Sequence, residues 1–209
     1  MVSSAIWPAT VECGDLLLRP ISHRDKREWL QLRQRNAAWL APWEASNPQP
    51  GAALPGFGEM VRSLNRQAKL ATALPWVIAE RKAGVGREPV IVGQLTVSSI
   101  VWGSAMMATL GYWVDQASAG RGIAPTAVAM ATDHCFGALG LHRMEINIRP
   151  ENAASLRVVE KLGFRDEGLR PRYLHINGAW ADHRSFALTA EEVPEGLLAR
   201  WLQERDESR

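Results

Sequence analysis

The chain is short of cysteine, of long apolar runs and of charge bias, and each shortage excludes something. Only Cys13 and Cys135 occur among 209 residues, so no disulfide framework holds the fold, and both read as buried filler in a reduced compartment. No apolar run approaches eighteen residues and no basic segment leads into a signal-type apolar one, so a soluble cytoplasmic protein without a membrane segment is expected. Lys+Arg 24 against Asp+Glu 22 leaves a net charge of +2 with no long block of either sign. No direct nucleic-acid binding and no membrane surface follow from that balance. What stands out instead is nine tryptophans, unusual in a chain of this size, most of them read as core packing. Some of them are available to line a groove.

The length suits one sizeable core, so a single domain is expected over 1–209, with residues 1–12 a loosely held leader. Chemistry enters at Gly111-Tyr112-Trp113-Val114, a strand end, followed by Asp115-Gln116-Ala117-Ser118-Ala119-Gly120-Arg121-Gly122-Ile123-Ala124 and then an apolar run at helical spacing. A glycine-bearing loop that opens a helix leaves consecutive backbone N–H groups uncovered at the positive end of the helix dipole. Such a junction favours anions, phosphate above all, and Gly120 and Gly122 let a ligand approach the main chain.

Around this junction the pattern gives a first strand at Asp15–Arg19, a helix over 25–36 capped by Ser22, a break at Ala38–Glu44, a Pro/Gly-rich loop from Ser46 to Gly58 and a helix from Phe57 to Leu70. The period then changes to two in Trp76–Ala79, Val90–Val101 and Ala108–Val114, with turns at Gly84/Gly86 and Gly103-Ser104. Apolar positions 123, 127, 128, 131, 135, 138 and 139 make the next helix, with Pro125 in its first turn. In Arg143–Arg149, Met144, Ile146 and Ile148 share one face while Glu145, Asn147 and Arg149 share the other, which points either to solvent or into a cleft. Further on, Asn152 is a competent N-cap and Gly163 a C-terminal glycine. Between them Ser155, Val158, Val159 and Leu162 fall on one stripe, so a hydroxyl sits on the face turned to the sheet. The plain reading of that hydroxyl is a bond to its own helix backbone. The last strands are expected from Phe164 to Leu169 and Ala181 to Leu188. A terminal helix over 191–204 packs either on its own core or on a second subunit, and the oligomeric state stays open.

Taken together, Gly-Arg-Gly-Ile-Ala at a strand–helix junction and Asn-x-x-Ser-x-x-Val-x-Glu-Lys-Leu-Gly-Phe some thirty residues later resemble the GNAT superfamily of acyl-CoA N-acyltransferases. Leu16-Leu17-Leu18-Arg19-Pro20, Leu40-Ala41-Pro42-Trp43-Glu44, Gly111-Tyr112-Trp113-Val114 and Asn177-Gly178-Ala179-Trp180-Ala181-Asp182-His183 make the chain similar to the ribosomal-protein N-terminal alanine acetyltransferases, the RimJ/RimL type, over about 14–190. The resemblance implies an α/β fold with a mixed, mostly antiparallel sheet of about seven strands, splayed at the cofactor cleft and flanked by helices.

It also implies roles. Acetyl-CoA is the acetyl donor and no metal takes part. The pyrophosphate rests on the amides of Gly120, Arg121, Gly122, Ile123 and Ala124, with Arg121 adding charge. Ala119 stands where the family carries Gln or Arg, which removes one side-chain contact. Trp113 and Val114 pair with the pantetheine arm as an added strand. Asn152 contacts that arm, and Ser155 lies near its sulfur as proton donor. The proton acceptor is expected at Glu145, with Asp182 and His183 as alternatives, because Arg170-Pro171-Arg172-Tyr173 carries no carboxylate where some relatives have a glutamate. The acceptor is expected to be a protein or peptide N-terminus, Ala or Ser, between Trp43 and Glu44 on one wall and Tyr173 and Trp180 on the other. Two other readings fit the same residues: acetylation of a small-molecule amine such as an antibiotic or polyamine, and a non-catalytic acyl-CoA-binding module.

Overall fold

The computed structural model describes residues 7–49, 55–82 and 88–207. The leader through residue 6, the centre of the Pro/Gly-rich loop and the Gly84/Gly86 turn lie outside them. In chain order the elements are β1 Val11–Cys13, β2 Leu16–Pro20, α1 Lys26–Arg35, α2 Ala37–Leu40, α3 Phe57–Lys69, β3 Leu74–Glu80, β4 Val90–Val101, β5 Met107–Val114, α4 Ile123–Gly137, β6 Arg143–Ile148, α5 Ala153–Lys161, β7 Arg165–Ile176, β8 Ala179–Thr189 and α6 Leu197–Glu207. The strands form one sheet in the order β1-β2-β3-β4-β5-β6-β8-β7, antiparallel throughout except between β5 and β6.

Eight strands stand where about seven were expected. The extra one, β1, lies at the end of the segment read as leader and pairs Val11 with Leu18 and Cys13 with Leu16. Gly14, at φ 56°, supplies the left-handed residue that so tight a turn requires. β7 also runs past Pro171 to Ile176, as an edge strand can, because its outward N–H groups need no partner.

Two cores lie on opposite faces of the sheet. On one, Ile21, Leu32, Phe57, Val61, Val77 and Ile91 pack under α1 and α3, with Trp29 and Trp113 at the margin. On the other, α4 packs against Leu95, Leu110, Met144 and Ile146. The stripe expected of α4 is in fact a sleeve, since every residue from Pro125 to Thr132 is buried. The cause is α6, whose Leu197 and Trp201 cover the side of α4 turned away from the sheet. α6 therefore packs on its own chain, with Asp133 of α4 accepting from the first-turn amides of Leu197 (2.7 Å) and Leu198 (3.0 Å).

The feature that positions the site is where the sheet fails to stay paired. β5 and β6 pair only at Met107↔Arg143, Ala108↔Met144 and Thr109↔Glu145. From there β5 stays with β4 to Val114, and β6 stays with β8 to Ile148. The two inner strands diverge into a wedge, and residues 110–114 present one unpaired main-chain edge to it.

Gly93, opposite Val114, sets the position of that edge. A Cβ there would lie far inside van der Waals contact distance of the Trp113 carbonyl oxygen and 3.1 Å from Val114 Cα, both backbone atoms that cannot rotate away. Gly93→Ala is expected to cost about 1–3 kcal/mol by overpacking. For a chain of this size that lowers Tm by roughly 2–12 °C, measured by thermal unfolding. An unchanged Tm would show that β5 adjusts freely.

Candidate active site

At the open end of the wedge β5 passes through a 3-10 turn, Gln116–Ser118, into the first turn of α4. Gly120 (φ 79°) and Gly122 (φ 81°) both adopt the left-handed conformation, which turns successive peptide N–H groups toward one side. Among the described residues the amides of Gly120, Arg121, Gly122, Ile123 and Ala124 donate to no protein acceptor. Five orphan donors, two left-handed glycines and a helix N-terminus make a cradle fitted to a diphosphate. Arg121 departs from the expected picture. Its guanidinium is turned back onto Glu80, leaving the main chain of Arg121 as the part presented to the cradle.

Residues that sequence reasoning passed over hold this loop in place. Asp115 is buried and accepts from Asn36 Nδ2 (2.8 Å) and from Arg35. Asn36 in turn accepts the Gln116 amide (2.9 Å), so the end of α1 is tied to the start of the loop. From the other side Trp201 Nε1–H donates to Thr126 Oγ1 (2.8 Å), and the Thr126 hydroxyl donates to the Gly122 carbonyl (2.8 Å). An aromatic at helical spacing in α6 carried no sign of that contact.

Asn152 and Ser155 open α5 across the wedge from β5. Asn152 Oδ1 accepts the Ser155 amide (3.1 Å), so the N-cap reading of Asn152 holds. The Ser155 hydroxyl meets the buried phenol of Tyr112, on β5, rather than the carbonyls of its own helix. Tyr112 alternates with Trp113 along the strand: Tyr112 and Val114 turn to the α4 core, and Trp113 turns to the α1 side, where the Arg33 guanidinium lies 5.2 Å from its ring.

The polar face of β6 points into the molecule. Glu145, expected as the proton acceptor, is buried and held by Arg143 (2.8 Å) and Arg170 (3.4 Å). Arg143 also binds Glu167. Both carboxylate oxygens of Glu145 are thus occupied by guanidinium groups. Asp182 accepts the Arg172 amide (2.7 Å) at the rim. His183 is different. It is buried on β8 two residues from Ser185, whose hydroxyl donates to Asn147 Oδ1 (2.6 Å). His183 Nδ1 lies 3.0 Å from the Ala181 carbonyl. A carbonyl only accepts, so Nδ1 carries the proton and Nε2 keeps a lone pair. Burial, helped by the charge of Arg149, holds the His183 pKa below the usual histidine value, so the ring is neutral near pH 7.

The expected acceptor walls meet rather than merely face each other. Ala45 forms a bridge to Ile176, the Ser46 amide donates to the His175 carbonyl (2.9 Å) and the Asn177 amide donates to the Glu44 carbonyl (2.9 Å). The segment after α2 and the β7–β8 hairpin thus close an arch. Trp43 sits beneath the Arg149 guanidinium, which also donates to the Pro42 carbonyl (2.8 Å). Glu44 is ion-paired with Arg33, which ties the acceptor-side segment to α1. Tyr173 stacks edge-on with His183 at 6.0 Å, whereas Trp180 stacks with His175 at 5.4 Å. The structure brings Tyr173 into the group around His183 and places Trp180 in the arch.

Comparison with known proteins agrees with this geometry. The acetyltransferase (GNAT) domain family matches residues 15–165. RimJ of Mycobacterium smegmatis, solved in complex with CoA-disulfide, is 37% identical, with a TM-score of 0.83 over 95% of this chain and 96% of that one. The [Ribosomal protein uS5]-alanine N-acetyltransferase of Escherichia coli (strain K12) is 28% identical over 87% of this chain and 91% of its own length. "Probable N-acetyltransferase YjcK" of Bacillus subtilis (strain 168) is 39% identical over 98 residues, and there the chain spans about half of the relative, 54%. The wedge, the amide cradle and the family match converge: this chain belongs to the GNAT family of acetyltransferases.

Proposed function

We propose that the protein transfers the acetyl group of acetyl-CoA to the N-terminal α-amino group, Ala or Ser, of a protein such as a ribosomal protein, by direct attack within a ternary complex. The observation that carries this reading is the wedge itself, with orphan amides at its donor end and an arch over its acceptor end. The names of the Escherichia coli and Mycobacterium smegmatis relatives support it.

In this reading the amides of residues 120–124 hold the diphosphate, and the free edge of β5 at Trp113 and Val114 pairs with the amide groups of the pantetheine arm like an added strand. Asn152, fixed as the N-cap of α5 through its Oδ1, steadies that arm. The arch and Tyr173 confine the approach to an extended chain end. The chemistry asks little of the protein: an α-amino group has a pKa of about 8 and a thiol about 8.5, so proton transfers run near balance and positioning supplies most of the rate. His183 Nε2, directly or through a water, takes the ammonium proton. It replaces Glu145, whose role becomes holding β6 to β7 through Arg143 and Arg170.

The test uses peptide pairs. With acetyl-CoA, the protein is expected to release CoA with an Ala- or Ser-initiated peptide, and to release none when that α-amine is formylated and only a lysine amine remains. Turnover confined to an aminoglycoside or polyamine would replace the substrate in this account, and CoA binding with no turnover on any amine would make the chain a binding module.

A further inference from the structure

Residues 119–121 form the outermost turn of the cradle, and the main chain does little to hold them. Gly120 and Gly122, which flank Arg121, are the residue type with most backbone freedom to lose. The amides of Gly120 and Arg121 are uncommitted, and the Arg121 carbonyl gains no bond from four residues on, because Pro125 has no N–H. Packing adds little: residues 119–121 are exposed, and a Cβ on Gly120 would meet no atom within 4 Å. A cleft of about 570 Å³, lined by Leu32, Arg35, Ile91 and Ser118, opens between α1 and the loop. One side chain reaches from the turn to firm ground. Arg121 Nη1 donates to Glu80 Oε2 (3.1 Å), and Arg121 Nη2 donates to Glu80 Oε1. Glu80 ends β3, where it pairs with Leu16 of β2 on one side and Val90 of β4 on the other, and its side chain is only 15% exposed. A two-point pair to a carboxylate so fixed sets the direction of the guanidinium as well as its distance.

We infer that Glu80 is a positioning residue for the acyl donor: by gripping the Arg121 side chain it fixes the peptide planes on either side of Arg121, and so aims the Arg121 and Gly122 amides at the diphosphate. The inference rests on the reading that the amides of residues 120–124 hold that diphosphate. Arg121 then serves as an anchor behind the main chain and not as a counter-charge to the phosphates. The opposite arrangement is a latch, in which the guanidinium leaves Glu80 for the phosphates when CoA arrives. Burial decides between them. Among the described residues Arg121 is the sole hydrogen-bonding partner of the Glu80 carboxylate, so its departure would strand a mostly buried charge. An anchor also orders the turn before the ligand arrives, which removes part of the entropy cost that binding would otherwise carry.

Glu80→Met and Arg121→Met each keep an unbranched side chain while removing the pair, and the double variant completes a thermodynamic cycle. In calorimetric titration E80M is expected to raise the dissociation constant of CoA by roughly 10-fold to 30-fold, the scale of one lost hydrogen bond to a charged group. R121M should do the same, and the double variant should lose no more than either alone. A donor without a diphosphate supplies the control. With S-acetylpantetheine all three variants should keep kcat/KM within about twofold of native, whereas a general structural defect would lower it. An E80M protein that binds CoA as tightly as the native one overturns the inference, as do losses that add in the double variant or an equal loss with S-acetylpantetheine. Tighter binding by E80M also overturns it, and would show Arg121 to be a latch released onto the phosphates. A native protein that binds CoA no more tightly than pantetheine would instead remove the diphosphate reading itself.

Discussion

Gly120→Asp is expected to raise the dissociation constant of CoA by roughly a hundredfold or more while leaving the fold intact. Position 120 separates the two effects cleanly. A Cβ there meets nothing within 4 Å, and aspartate is among the side chains that best tolerate the left-handed backbone that Gly120 adopts. The added carboxylate, however, stands among the amides that point at the diphosphate. One like-charge pair about 5 Å apart at an effective dielectric of about 20 costs around 3 kcal/mol, which is about two orders of magnitude in affinity. Gly120→Asn, the same shape without the charge, is expected to lose no more than about tenfold. Calorimetric titration with CoA and thermal unfolding of the three proteins decide the matter. Aspartate and asparagine variants that bind equally would locate the phosphates elsewhere.

His183→Gln is the second large effect. A positioned base is worth about 10²–10⁴-fold, and kcat/KM for a peptide acceptor is expected to fall within that range while KM for acetyl-CoA stays near native. The pH profile carries the specific signature. The acceptor amine loses its nucleophilic form below its pKa of about 8 in both proteins. In the native protein the imidazole must also be neutral. Because burial lowers its pKa, that second requirement appears only below about pH 6.5, where log kcat/KM steepens from a slope of about one to about two. The variant should keep a slope of about one throughout. Stability should follow the same group: with the folded pKa depressed, the unfolded chain binds the extra proton, so the contribution of His183 is complete above about pH 6.5 and is lost as pH falls below it. A variant with native kcat/KM and a native profile would assign the proton to another group.

What the sequence showed and what it hid follow from the range of the interactions. The loop–helix junction was legible because left-handed glycines and a capped apolar helix are local features, and the amides of residues 120–124 are indeed uncommitted. The cap at Asn152 and the divergence of the sheet after Thr109 likewise follow the pattern of the resemblance. β1 was missed because three residues carry no period. The start of α6 was placed too early because Val193 keeps helical spacing with Leu197, although Pro194 and Gly196 separate them and residues 190–192 form a 3-10 turn closed by the Thr189–Glu192 capping box. Partners that arrive from distant strands and loops escaped most completely. Glu145 looks available until Arg170 of β7 closes on it, Glu44 until Arg33 does, and Arg121 until Glu80 does.

The most direct measurement is a proton–nitrogen correlation spectrum of the labelled protein titrated with CoA. The account predicts that the amide protons of Gly120, Arg121, Gly122, Ile123 and Ala124 move downfield together as they gain phosphate acceptors, with Trp113 and Val114 shifting beside them. Saturation by CoA with those seven signals unmoved would contradict it.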